Sequence, residues 1–335
     1  MRHETVGDLG EFGLLARLRE RLASPYLGDD AAVLPVLPGR HVLATVDVQV
    51  DGIHFVRDVM TPQQIGRRAI AINVSDIAAM GGTPRYALLS LLLPASTETS
   101  WVEALYDGVR AETARWEMST AGGNLSQTSG PLAVDVTVLG DVDPALVLRR
   151  GGAIPGDVLL VTGDLGRAAA GLRLLHRGGE SAGRFGPLVD AYCTPTPRVR
   201  EGQALAHTRA VHAAMDLSDG LASDIHRLAE ESGVGARIDA AALPISSEVR
   251  AAAAELGIDA LDLALRGGED FELLVAASPR AVGTLATAVA AVGTSLTYIG
   301  QVHPAADGLM LRSDDGTLYP LAGGWDHFVA HGEVR

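Results

Sequence analysis

Several aspartates stand beside apolar runs, where a carboxylate needs a partner. Asp47 follows Val42-Leu43-Ala44-Thr45-Val46, which reads as a buried strand, and a lone buried carboxylate is costly unless paired or bound to metal. Asp76 continues the helical stripe of Ile65, Ala69 and Ile72 by spacings of four, three and four. A helix that only needs solubility puts its acids on the other face, although a bond to a nearby loop amide would also satisfy Asp76. Asp51 and His54 flank the bend Val50-Asp51-Gly52-Ile53-His54-Phe55; a solitary histidine there is ordinarily structural and gains weight only from its company. Gly28-Asp29-Asp30, Asp216-Leu217-Ser218-Asp219-Gly220 and Gly267-Gly268-Glu269-Asp270-Phe271-Glu272 add further acids at glycine turns. Turn chemistry accounts for the first and the last as well as ligation does. Ser218 or Asp219 can cap the helix that carries Leu221, Ile225 and Leu228, which leaves Asp216 unexplained.

Oxygen donors of this kind select Mg²⁺ or Mn²⁺ over zinc. Phosphoryl transfer asks little else of a protein. It needs cations that neutralise phosphate oxygens and walls that hold donor and acceptor in line. Ala121-Gly122-Gly123-Asn124 reads as a glycine turn whose amides could approach phosphate. No Walker A pattern and no protein-kinase motif set occurs. The residues by themselves reach metal-assisted phosphate chemistry and no further.

The elements that must position them come from a chain of 335 residues, 47% apolar and only 4% aromatic, hence with an aliphatic core. Its 27 basic and 41 acidic residues leave a net charge of −14, which argues against nucleic acid as a partner. The one cysteine, Cys193, excludes an internal disulfide and a cysteine zinc site. No secretory segment opens the sequence, and apolar runs such as Tyr86–Pro94 fall far short of a membrane span. The expectation is a soluble, cytoplasmic protein that does not bind membranes.

Periodicity predicts a helix over Glu11–Leu22, a strand over Val42–Val50, and a helix begun by Thr61-Pro62-Gln63-Gln64 and stopped at Gly81-Gly82. A strand at Tyr86–Leu93, a helix begun by Ser100 and a strand at Leu132–Val142 complete the first half. After a turn-rich connector over 143–157 come strands at Val158–Thr162, Phe271–Ala277 and Leu296–Gly300. Helices are expected at Leu165–His176, Leu221–Ser232 and Pro279–Val292. The fold class is mixed α+β in two domains, 1–145 and 146–335, with the default site in a cleft between them.

Six of these segments, with Asn73-Val74-Ser75-Asp76-Ile77-Ala78-Ala79-Met80-Gly81 and Gly324-Trp325-Asp326-His327-Phe328 among them, resemble the thiamine-monophosphate kinase family in order and spacing. The resemblance spans about residues 7 to 328. It implies the aminoimidazole-ribonucleotide synthetase-like ATP-binding superfamily and ATP-dependent phosphorylation of thiamine monophosphate to the diphosphate, the last step of that cofactor's synthesis. It also implies several Mg²⁺ ions, with K⁺ a further candidate, and a homodimer paired through the N-terminal domains. Carried over by position, Asp30, Thr45, Asp47, Asp76, Asp216 and Asp219 would ligate metal, as would positions 46 and 124. Gly123, Asn124, Arg150 and Ser218 would contact ATP. His54, Glu269 and Trp325 would lie near the thiamine phosphate, and Asp47, Asp76 and Asp219 are the residues on which catalysis would depend.

Two positions depart from the family. Asn124 stands where the family usually has Asp, and Val46 where it tends to have Thr. An amide oxygen can still ligate, without the charge. A side-chain contact at position 46 would be lost and a backbone contact kept. Competing expectations are a superfamily enzyme with a different acceptor, or a homologue that binds nucleotide or thiamine phosphate with low turnover.

Overall fold

A computed structural model of the chain describes residues 4–24, 34 and 36–321. The chain forms two compact units, one reaching Val147 and including Cys193–Gln203, the other formed by Leu148–Tyr192 and the residues from Ala204 on.

The first unit carries α1 (Val6–Leu22), β1 (His41–Val50), α2 (Pro62–Ala79), β2 (Thr83–Leu93), α3 (Thr99–Arg115), β3 (Ser119–Gln127) and β4 (Ala133–Val142). Its sheet runs β1-β4-β2-β3, so β1 and β3 are the two edges. Register sorts the side chains into two faces. Asp47, Val136, Leu89 and Gly123 are aligned across one face, and Val48, Asp135, Ser90 and Asn124 across the other. The first face is the core side, where Val134, Val136, Val138, Ala87, Leu89 and Leu91 are fully buried. Burying each large aliphatic side chain is worth roughly 1.5–3 kcal/mol.

Helix α2 begins and ends as its residues predict. Thr61 accepts the Gln64 amide at 3.2 Å, Gln64 Oε1 accepts the Thr61 amide at 2.9 Å, and Gly81 turns left-handed at φ +70°. Its crossing with α3 is built on two glycines. A methyl on Gly66 would sit 2.0 Å from the Leu105 carbonyl oxygen, and one on Gly108 2.0 Å from that of Gln63.

Three expectations for this unit change. Helix α1 starts at Val6 rather than Glu11, because Thr5 and Asp8 form a reciprocal capping box. Helix α3 starts at Thr99, capped by the Glu98 backbone, so Ser100 lies inside its first turn. The amide of Thr99 donates to the Glu4 carbonyl at 3.0 Å, and that pairing fixes the start. Residues 121–124 form no turn; they run inside β3, parallel to β2. Gly123 permits the pairing, since a Cβ there would meet the Leu89 oxygen at 2.3 Å.

The rest of the chain carries β5 (Val158–Thr162), α4 (Arg167–Arg177), α5 (Gly179–Arg184), α6 (Gly186–Cys193), α7 (Val199–Thr208), β6 (Val211–Asp216) and α8 (Leu221–Ser232). It continues with β7 (Val234–Asp239), α9 (Ser247–Leu256), α10 (Ala260–Arg266), β8 (Leu273–Ala277), α11 (Val282–Ala290), β9 (Leu296–Pro304), β10 (Leu309–Arg312) and β11 (Leu318–Pro320). The second unit's seven strands are ordered β11-β10-β7-β9-β5-β8-β6, antiparallel except for β10 beside β7. Strand β8 begins at Leu273 instead of Phe271, whose φ of +50° excludes it from a strand. Among the described residues no helix is long and apolar enough to cross a membrane.

Candidate active site

Thr45 and Asp47 stand two residues apart on β1 and face the helices. The Thr45 hydroxyl donates to Asp76 Oδ2 on α2 at 2.5 Å. The three oxygen-bearing residues singled out in this half therefore share one face of the sheet. Strand β1 runs to Val50 as predicted, but it is an edge rather than a buried strand, and Asp47 is only half-buried. Water can reach that edge, so burial adds less to the case for a bound cation than the sequence suggested. Val46 points to the opposite, open face and is 60% exposed, so its side chain offers that group no donor.

The bend after β1 is a turn with Gly52 at φ +83°. There His54 Nδ1 accepts the Val50 amide at 3.1 Å, which makes Nε2 the protonated nitrogen of the neutral ring. Asp51 holds the bend by accepting from Arg57 Nε at 2.6 Å.

Asn124 is not brought to Asp47. It lies on the far edge strand and on the opposite face, with β4 and β2 between them. Three strand spacings are roughly 14 Å, beyond the reach of one cation's ligands. Asp29, Asp30 and Trp325 lie outside the described residues.

In the second unit two separately chosen motifs meet. The Glu269 amide donates to the Ser218 carbonyl at 2.7 Å, that of Phe271 to Leu217 at 2.9 Å, and that of Leu217 to Glu272 at 2.8 Å. Glu269 and Phe271 have φ of +67° and +50°, a conformation unfavourable for side-chain-bearing residues and held here by those bonds. Asp270 anchors the loop from outside by accepting the amides of Gly166 at 2.7 Å and Ala168 at 3.1 Å, at the start of α4. Burial pushes its carboxyl up to about 7, against the pull of those amides. Glu272 is buried and accepts from Thr162 Oγ1 at 2.7 Å.

Asp216 ends β6 and is 6% exposed. Neither Ser218 nor Asp219 caps α8, because Gly220 at φ +96° occupies that position. Asp219 faces Arg227 instead, at 2.5 Å. Arg150 is exposed and follows Arg149, whose carbonyl accepts the Ala214 amide of β6 at 2.7 Å. That bond lays the connector alongside the strand that ends at Asp216.

The residue missed from sequence is Asp224. It is 0% exposed and accepts the Asp219 amide at 3.1 Å. Burial first, then the charge of Asp219, pushes its carboxyl up to about 7. The signal was present: Leu221, Asp224 and Leu228 are spaced by three and four, the same pattern that singled out Asp76.

Among the described residues no three His, Cys, Asp or Glu side chains converge on one point. The donors present are hydroxyl and carboxylate oxygens in both units, a set that fits a hard divalent cation and not zinc or copper. Thr45, Asp47 and Asp76 would hold one such ion, and Asp216 and Asp219 another.

Residues 28–142 match the AIR synthase related protein, N-terminal domain, and residues 155–309 match the corresponding C-terminal domain. The thiamine-monophosphate kinase of Salmonella typhimurium is 37% identical over 330 residues, 96% of this chain and 98% of its own. The crystal structure of thiamine-monophosphate kinase from Stenotrophomonas maltophilia shares the fold at a TM-score of 0.79 and 34% identity, covering 93% of this chain and 98% of that one. The structure of AaThiL complexed with AMPPCP and TMP gives a TM-score of 0.77 at 33% identity, covering 98% and 99%. With both AIR synthase related domains in order, and such relatives matched along nearly its whole length, the chain belongs to the thiamine-monophosphate kinase family.

Proposed function

We propose that the chain transfers the γ-phosphoryl group of ATP directly to the phosphate of thiamine monophosphate, giving thiamine diphosphate and ADP, with magnesium required. The observation that carries this reading is the 33% identity, over 98% of the chain, to AaThiL complexed with AMPPCP and TMP. An acceptor phosphate oxygen attacks the γ-phosphorus, and the bond from that phosphorus to the β-bridging oxygen breaks. A phosphate monoester has its second pKa near 6, so the attacking oxygen is already ionised at neutral pH and needs no strong base. Catalysis is then positioning and charge stabilisation. Magnesium, when bound, supplies neutralisation of the phosphate oxygens.

The chain's own groups have matching tasks. Asp47, Asp76, Asp216 and Asp219 hold cations rather than accept protons. His54 presents a fixed Nε2–H to an acceptor phosphate oxygen. Arg150 and the Ser218 hydroxyl donate to nucleotide phosphate, Gly123 holds β3 close against β2 next to the nucleotide, and Glu269 meets the cationic thiamine. Asp30 and Trp325 keep the roles the family implies, as ligand and as a stacking face.

A homodimer fits the first unit. Val42, Val46 and Val48 are 54, 60 and 50% exposed on the open face of its sheet, an unusually apolar surface to leave in water. A second copy against that face covers it and can bring the β3 edge of one sheet to the β1 edge of the other. Val46→Glu should shift the protein to monomer in light scattering; an unchanged mass would remove this face from the interface.

The activity is tested by chromatography of purified protein incubated with ATP, magnesium and thiamine monophosphate. Thiamine diphosphate should form in step with ADP, and its absence at every magnesium concentration would sink the proposal.

A further inference from the structure

Asp219, Asp224 and Arg227 form a closed ring on the second unit. The Asp219 amide donates to Asp224 Oδ2 at 3.1 Å. Arg227 donates to Asp224 Oδ1 at 3.0 Å, and the same guanidinium lies 2.5 Å from Asp219 Oδ2. The three members differ in freedom. Asp224 is fully buried, whereas the Arg227 side chain is 40% exposed. Asp224 therefore fixes the backbone of the 216–219 loop whatever happens at the surface, while the arginine head can swing away on its flexible stem.

We propose that Arg227 is a resident counter-ion of Asp219 that an incoming divalent cation displaces, and that it thereby sets the cation affinity of the 216–219 loop. This rests on the assignment of Asp219 as a cation ligand. A guanidinium at 2.5 Å already balances that carboxylate, and an added dication would face a like charge within a few ångström. Binding thus requires the Arg227–Asp219 contact to open. The Arg227–Asp224 contact need not, so the displaced arginine stays tethered to α8. Arg227 is a positioning residue in this scheme, since it acts on the ion through Asp219.

The test is Mn²⁺ binding to the full-length protein without nucleotide, followed by calorimetry and by the electron-spin signal of free Mn²⁺. Arg227→Gln should tighten Mn²⁺ binding roughly fivefold, the scale of a half-exposed ion pair. Arg227→Met, which keeps the apolar stem, should show the same gain if the glutamine variant does not fold. Arg227→Lys should stay near wild type because the charge remains. A purely structural arginine would lower the melting temperature with no gain in affinity, and unchanged or weaker binding in the folded variants overturns the proposal. Asp219→Asn separates the two layers. Wild-type affinity there removes the ligand assignment itself, whereas a loss there with no gain in Arg227→Gln overturns the counter-ion role alone.

Discussion

The Thr45 hydroxyl donates to Asp76 Oδ2 at 2.5 Å, which ties the first strand of the N-terminal unit to the helix carrying its second carboxylate. One bond thus aims a strand-borne hydroxyl and a helix-borne acid at the same place. Thr45→Val keeps the shape and removes the donor. The magnesium concentration for half-maximal rate should rise about tenfold, the worth of one hydrogen bond to a charged group. Thr45→Ser should restore it. An unchanged magnesium requirement in the valine variant would mean that the bond is merely structural.

The helix crossing that supports Asp76 depends on Gly66. Its α-hydrogen faces the Leu105 carbonyl, and a methyl would overlap that oxygen at 2.0 Å. Gly66→Ala should cost roughly 2–3 kcal/mol, as overpacking of a close contact does. Denaturant titration measures it, and a loss below about 0.5 kcal/mol would show that the helices part easily.

Asp270 gives a pH signature. Its carboxyl is raised from 3.8 to about 7 by burial. Between about pH 4 and pH 7 the folded protein keeps a proton that the unfolded chain has lost, so this group's contribution makes stability fall as pH rises through that window. Asp270→Asn removes that slope. The melting temperature of the variant relative to wild type should climb from about pH 5 to pH 8. Asp224 titrates in both proteins and cancels from the difference. Parallel curves would show that the amides of Gly166 and Ala168 keep Asp270 ionised.

Asn124 tests the uncharged position. Asn124→Asp should preserve or raise the rate at low magnesium, because a carboxylate binds the hard cation more strongly than an amide. Complete loss of activity would show that the amide is adapted to this chain.

Legibility followed local chemistry. Helix α2 could be read almost to the residue because its start signal, Thr61-Pro62-Gln63-Gln64, and its stop at Gly81 act within one turn of the chain. Asp76 was found by the same periodicity, and Asp224 was within reach of it. What failed depended on distant partners. Residues 119–127 became a strand only because Gly123 lets the backbone approach Leu89, while the pair of glycines locally suggests a turn. The α8 cap went to Gly220 because Asp219 is engaged by Asp224 and Arg227, eight residues or fewer away in sequence but not deducible from spacing. The separation of Asn124 from Asp47 is a matter of strand order, which no single motif encodes.

Direct transfer is tested most directly by following the phosphorus. ATP labelled at the γ-phosphate, incubated with the protein, magnesium and thiamine monophosphate, should place the label in the terminal phosphate of thiamine diphosphate. Asp47→Ala, with an unchanged melting profile, should transfer none. Label recovered only as inorganic phosphate, or left in ATP at every magnesium concentration, would contradict the account.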